Sequence, residues 1–388
     1  MAALPPSALT GPTPDRRRRP ERTLLYRTVQ SHLETWLALR GRAYDDADAV
    51  PGYVEHEFCR YLECGILAHG FARARCAQCG HDFLIAFSCK GRGVCSSCNT
   101  RRMAETAAHL VEHVIPRVPV RQRMLSLPNA CATSCSTIRR LQPWRCTSSY
   151  SAVEQPLRRC SPGASPHAGI GAVAFIQRFG ALLNAHVHFH CIVLDGVFEA
   201  DGEGGARFPE AMGVGAEAVA EAQTKVRRPL LRALAQRGLL EPEDAEAMSA
   251  SAHAGGFSVD ASVRIEAHDR AGLERLLRCC ARPAFALERL HEIDAEHLVY
   301  DSAKPGPGGS VTLMLTLVEL LDRLAALIPP PRRHRHRYFG VRAPNAPLRP
   351  TVTALVTAGA ETPIAETPAA PTAAPAPGSR RAHPPSAQ

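Results

Sequence analysis

Two groups of residues in the sequence have the types and spacing for chemistry. Cys76-Ala-Gln-Cys79 and Cys95-Ser-Ser-Cys98 are C-x-x-C knuckles separated by fifteen residues. Each knuckle sets two thiolates at about the separation a tetrahedral ion requires, and the interval falls at the edge of the zinc-site window. The spacing therefore predicts one closed structural zinc site built from Cys76, Cys79, Cys95 and Cys98. Such a site contributes folding energy and no catalysis. Gly80, Gly91 and Gly93 supply permissive backbone around the knuckles. Cys59, Cys64, Cys89, His69 and His81 lie nearby and are assigned to no ion. Lys90, Arg92, Arg101 and Arg102 flank the ligands, where they could meet phosphate; a protein-binding zinc ribbon is the other use of such a block. The second group is the stretch Asn184-Ala-His186-Val-His188-Phe-His190-Cys-Ile-Val-Leu-Asp195-Gly196. In a strand alternate residues share a face, so His188 and His190 point one way, His186 joins them, and Phe189 turns to the core. Two imidazoles so placed suit a divalent cation held against a phosphate. Satisfied sheet histidines are the plainer alternative.

Elements must position both groups. Apolar residues recur at helical spacing over 23–39 and 54–69, and 101–115 reads as a further helix. Short apolar strands follow at 172–176 and 187–197. Helices are expected again over 216–240, 269–290 and 315–328, the last stopped by Pro329-Pro330-Pro331. The expected class is α+β, helical and zinc-binding first and sheet-based second. The division is a disordered basic arm over 1–22, a zinc-binding domain over 23–105, and a connector over 106–168 with an anomalous segment at 129–150. A catalytic sheet domain over 169–350 and a disordered Ala/Pro-rich tail over 351–388 complete it.

The composition narrows the function classes. The chain has 388 residues, 45% of them hydrophobic, which is enough for two folded units. Mean hydropathy is −0.14, and no apolar run approaches the ~20 residues of a membrane helix. The first residues lack a secretory apolar stretch, so the fourteen cysteines are expected in a reducing, cytoplasmic setting. Net charge is +9 and only three of the 46 basic residues are lysines. That excess favours a polyanionic partner.

Taken together, the chain resembles the HUH transposases of rolling-circle insertion sequences, the IS-ninety-one-like family. The residues carrying the resemblance include Glu63-Cys64-Gly65, Arg75-Cys76 to Cys79-Gly80, Phe87-Ser-Cys89-Lys90 and Cys95 to Met103. Further along come Phe175-Ile-Gln177-Arg178-Phe-Gly180, the His188 to Val197 strand, Arg282-Pro283, Glu288-Arg-Leu290, Tyr338-Phe-Gly-Val341 and Ala343-Pro-Asn345. The resemblance implies an N-terminal zinc domain and a ferredoxin-like HUH endonuclease sheet. It implies that His188 and His190 bind Mg²⁺ or Mn²⁺; Gln177 and Arg178, on the neighbouring strand, are candidates for DNA contact only. The implied partner is the single-stranded DNA of insertion-sequence ends, with no membrane and no nucleotide cofactor. A helix tyrosine would attack the phosphate, leaving a 5′-phosphotyrosine and a free 3′-hydroxyl.

Three features depart from the family. Text resembling Arg-Tyr-x-x-Arg-Pro is here Arg278-Cys279-Cys280-Ala281-Arg282-Pro283, so Cys279 occupies the nucleophile position. No tyrosine occurs between Tyr150 and Tyr300, and Tyr300 lies about six helical turns of sequence away. Residues 129–150 lack a helical period. A coding of the family-like Lys-Arg-Leu-Arg-Tyr-Phe-Leu, read in a shifted frame, yields Asn129 to Cys135, so the segment is expected to be alternative-frame peptide. Arg123 and Arg342 interrupt apolar segments, where an unpartnered guanidinium is costly. The sequence-level expectation is a rolling-circle transposase by descent with its zinc site intact and strand cleavage impaired. The alternative is a zinc-dependent DNA-binding protein without catalysis.

Overall fold

The computed structural model describes residues 18–41, 49–126, 153–236, 238, 240–250, 258–302, 309 and 311–358. The anomalous segment at 129–150, the first seventeen residues and the stretch 359–388 lie outside the described residues.

The chain begins with two helices, α1 (Leu24–Arg40) and α2 (Gly52–Glu63). Thr23 caps α1 by accepting from the Tyr26 amide at 3.2 Å. A two-stranded ribbon follows, β1 (Phe71–Arg75) and β2 (Asp82–Ala86), and then α3 (Ser96–His113). Next come β3 (Val120–Ser126), helix α4 over 153–160, β4 (Gly171–Phe179) and β5 (Ala185–Leu194). The small pair β6 (Glu199–Ala200) and β7 (Ala206–Arg207) leads to α5 (Ala216–Ala235) and α6 (Pro242–Ala250). Beyond these lie β8 (Ser258–Asp260), β9 (Arg264–Ile265) and α7 (Arg270–Ala281). The C-terminal part holds β10 (Leu290–Glu292), β11 (His297–Asp301), β12 (Thr312–Thr316), α8 (Leu317–Leu327), β13 (His336–Gly340) and α9 (Arg349–Ala358).

The central sheet runs β13-β4-β5-β3-β8, with β9 also on β3, and every pairing is antiparallel. β5 is the middle strand. Both faces are covered, so β4 reads as an almost unbroken apolar run. On one face Val187, Phe189 and Val193 meet Leu157 of α4 and Leu231 of α5. On the other, Val173, Phe175 and Ile192 meet Leu110 of α3, Leu277 of α7 and Val352 of α9. A separate core joins α1 and α2 to α8 and the three-stranded sheet β10-β11-β12 through Trp36, Phe58, Leu298 and Leu320. The Trp36 indole donates to Asp322 of α8 at 2.8 Å.

Several boundaries differ from the sequence reading. Residues 18–22 belong to the fold, with Pro20 buried, because Arg18 and Pro20 lie against Gly65. The connector assigned over 106–168 contains the end of α3, the sheet strand β3 and helix α4; the polar run Arg121-Gln122-Arg123 in β3 left no apolar stretch to mark a strand covered on both faces. The tail assigned over 351–388 starts too early, since Val352 and Val356 of α9 are buried. The helix expected over 269–290 stops at Ala281 ahead of Pro283, and the residue before a proline is barred from helical backbone.

Candidate functional site

The described cysteines form one buried four-thiol group, and its membership corrects the sequence reading. It is Cys64, Cys89, Cys95 and Cys98, with all four sulfurs within 4.8 Å of one another. Cys64 Sγ lies 3.7 Å from Cys95 Sγ and 3.6 Å from Cys98 Sγ, and Cys89 Sγ lies 3.5 Å from Cys98 Sγ. Four sulfurs at ~2.3 Å from a tetrahedral zinc stand about 3.8 Å apart, so the donor set and its spacing fit that ion. Cys64 ends α2, Cys89 follows β2, and Cys95 and Cys98 open α3, whose helix dipole favours thiolate there. Hydrogen bonds from Cys89, Cys95 and Cys98 pull the Cys64 thiol far below its ordinary value. Outer partners hold the site: the Cys89 and Gly91 amides donate to Cys64 Sγ and Cys89 Sγ at 3.3 and 3.2 Å. The Arg18 guanidinium reaches Cys64 Sγ at 3.7 Å and Cys95 Sγ at 3.8 Å. Glu57 of α2 accepts from the Arg92 and Gly93 amides at 2.6 and 2.7 Å, fixing the loop that delivers Cys95.

Cys76 and Cys79 do not join this group. They sit in the turn of the β1–β2 ribbon, where the Gly80 amide donates to the Cys76 carbonyl at 2.9 Å. Phe71 pairs with Ala86 at the ribbon's base and Arg75 with Asp82 at its tip, so about 15 Å of ribbon separates the turn from the four thiols at ~3.4 Å per residue. The knuckle spacing matched a zinc site, but the ribbon carries the first knuckle away and brings Cys64 and Cys89 in its place.

The second group sits on β5. His188 and His190 share a face, with ring centroids 5.1 Å apart, and His186 lies 5.2 Å from His188. Register sets Gln177 of β4 opposite His188, and the Gln177 side-chain oxygen lies 2.9 Å from His188 Nε2. The amide nitrogen of Gln177 donates to the carbonyls of Cys280 at 2.8 Å and Cys279 at 3.2 Å, tying the histidine strand to the end of α7. Gln122 of β3 lies 2.8 Å from His190 Nδ1 and 3.7 Å from Cys280 Sγ. Burial, then His190, His186 and Arg282, push His188 down to about 3, so its imidazole is neutral at pH 7. Cys279 is exposed and Cys280 is buried; burial raises the Cys280 thiol well above its ordinary value, leaving it a poor nucleophile. Tyr300 is a core residue of β11. It stacks on Phe285 at 5.6 Å, its hydroxyl accepts from the Ala286 amide at 3.3 Å, and it has no part in the histidine site.

Comparison with protein families decides the assignment. Residues 34–127 match the IS91 transposase zinc-binding domain, and residues 171–348 match the Y2_Tnp transposase family. The chain belongs to the IS91-like transposases. A search of curated proteins and a search of solved structures each return no match. The zinc-binding match contains the four-thiol group, and the transposase match contains both histidines and Gln177. Among the described residues no helix is long and apolar enough to cross a membrane.

Of the basic and polar residues expected to meet DNA, the transposase brings Arg92, Arg102, Gln177 and Arg178 to one cavity of about 500 Å³. Lys90 and Arg101 lie outside its lining; the Lys90 carbonyl accepts from Arg102 at 2.8 Å, and Arg101 stands 3.9 Å from Glu105. Sequence reasoning missed four participants. Cys64, Cys89 and Cys280 were visible as members of the family-like text, while Gln122 carried no signal short of the sheet register.

Proposed function

We propose that this transposase acts on single-stranded insertion-sequence ends by the rolling-circle HUH route and that its strand-cleavage step is disabled at residue 279. The observation carrying this reading is the hydrogen-bond chain from His188 through Gln177 to the Cys279 and Cys280 carbonyls. It supports α7 as the helix that should present the nucleophile, and position 279 carries a thiol where the reaction needs a phenol. In the intact reaction a tyrosine oxygen bonds to phosphorus while the 3′ oxygen leaves and takes up a proton; the phosphotyrosine keeps the phosphodiester energy for rejoining. His188, His190 and Gln177 offer two imidazole nitrogens and an amide oxygen, a donor set suited to Mg²⁺ or Mn²⁺, which would supply Lewis-acid polarisation of a phosphate oxygen. The chain's own part is to orient that set: the Cys279 and Cys280 carbonyls hold the Gln177 amide nitrogen, and Gln122 holds His190 at Nδ1. Zinc at Cys64, Cys89, Cys95 and Cys98 is structural, and Arg92, Arg102 and Arg178 contact the DNA, whereas Gln177, expected to do so, is buried with both side-chain polar atoms engaged.

A second reading, a zinc-dependent DNA-binding protein that occupies element ends without cutting them, is favoured by the thiol at 279 and by Arg123. That residue is 6% exposed, and its Nε has no hydrogen-bond partner among the described residues. The test is incubation of the full zinc-loaded chain with a labelled single-stranded element end and Mn²⁺, followed by denaturing electrophoresis. Binding that weakens steeply with salt and leaves no covalent adduct is expected. An adduct would contradict the impaired step, and failure to bind would contradict both readings.

A further inference from the structure

The loop after α8 contributes basic residues to the cavity beside Gln177 that neither the zinc ligands nor the histidines explain. Arg332, Arg333 and Arg335 line it together with Arg92 and Arg102 from the zinc module and Arg178 and Arg282 from the catalytic unit. Among the described residues that line it none is an aspartate or glutamate. The loop is tied down by backbone acceptors. The Arg92 guanidinium donates to the Arg333 carbonyl, and Arg335 donates to the Arg92 carbonyl and, at 2.8 Å, to Asn99 Oδ1. Three prolines precede Arg332, which itself takes left-handed backbone with φ of 58°, a conformation uncommon outside glycine. Burial, with Arg102 and Arg92 next, pushes Arg335 down to about 9. Seven guanidinium groups around one cavity repel one another, a cost to folding that Glu57 of α2, acting on Arg92 and Arg335 from outside the lining, offsets in part.

We infer that this cleft is a phosphodiester-binding channel for single-stranded DNA, with Arg332 and Arg333 gripping backbone phosphates next to the histidine strand. The inference rests on the transposase reading. It deepens that reading by assigning the loop at 329–335, which neither knuckle nor histidine motif includes. Arginine forks match phosphate oxygens in pairs, and a basic groove that tracks the backbone is how single strands are held without base readout. A concave site between two packed units admits one strand, whereas a duplex is met by elements that protrude into its grooves. The anchoring of the loop by proline and by backbone acceptors means little ordering cost on binding.

The test is fluorescence anisotropy of the full zinc-loaded chain with labelled oligo(dT), repeated over a salt series. Arg332→Ala/Arg333→Ala should weaken binding about tenfold and make the plot of log affinity against log salt shallower by about 1 to 1.5, at ~0.7 for each phosphate no longer neutralised. Arg332→Lys/Arg333→Lys should keep the slope, because charge is kept. Arg228→Ala/Arg232→Ala, two exposed arginines of α5 beyond the opposite sheet face, should bind as the parent does. An unchanged affinity and slope in the alanine pair, beside a parent that binds, overturns the channel and leaves the transposase reading standing. Equal losses in the α5 pair, or loss of slope in the lysine pair, also overturn it. A parent that binds duplex as well as oligo(dT) overturns the single-strand assignment, and a parent that binds no DNA overturns both readings. Matching thermal melts across the set show that the variants fold.

Discussion

Two arginines illustrate opposite uses of a single charge. Arg123 points from β3 into the face covered by α4 and α5. Burial, more than the repulsion from Arg121, pulls its guanidinium below its ordinary range. Relieving a buried Nε that has no hydrogen-bond partner among the described residues gains about 1–3 kcal/mol, so Arg123→Met should raise the urea midpoint at unchanged m-value; a lower midpoint would show that the guanidinium is satisfied. Arg18 faces a cluster that carries two negative charges when four thiolates hold one zinc, and it touches two of those sulfurs. Outer-shell partners of this kind are worth about 10- to 100-fold in metal affinity. Arg18→Ala should therefore weaken zinc binding about tenfold or more in a chelator competition, while an unchanged affinity would reduce Arg18 to a surface contact.

At the scale of elements, the ribbon β1–β2 decides which cysteines share an ion. Cys64→Ser or Cys89→Ser should release the zinc, and Cys76→Ser/Cys79→Ser should leave one zinc per chain by metal analysis; loss of zinc in the second variant would restore the pairing that spacing alone suggests. The same element explains what was legible in the sequence. The second knuckle, the histidine strand and helices α1, α3 and α8 announced themselves through fixed short spacings and helical periods, which are local properties. The partners of Cys95 and Cys98 were not legible, because the 24 residues between Cys64 and Cys89 form a hairpin that projects its own tip, with Cys76 and Cys79, outward and returns Cys89 beside Cys64. Gln122 was hidden for a related reason. It matters only because β3 pairs with β5 and sets it beside His190, and register between distant strands leaves no mark on either strand alone.

Across the whole molecule the zinc module and the catalytic sheet are one mechanical unit. α3 opens with two zinc ligands, and further along Ala107 and Leu110 pack with Leu273, Leu277 and Cys280 of α7. The core around Trp36 likewise mixes α1 and α2 with α8 and β11. Stripping zinc should therefore lower the melting temperature of the entire chain in a single transition; a catalytic unit that melts unchanged after chelation would contradict the shared core. This coupling also bears on residue 279, which rides on the helix that α3 supports. Cys279 is exposed, so a tyrosine ring there displaces no buried neighbour. The most direct test of the central claim is covalent capture of a labelled single-stranded element end by Cys279→Tyr in Mn²⁺, read on a denaturing gel. The account predicts a protein–DNA adduct in that variant, lost again in Cys279→Tyr combined with His188→Ala, and none in the parent chain. A soluble, DNA-binding Cys279→Tyr protein that forms no adduct would contradict it.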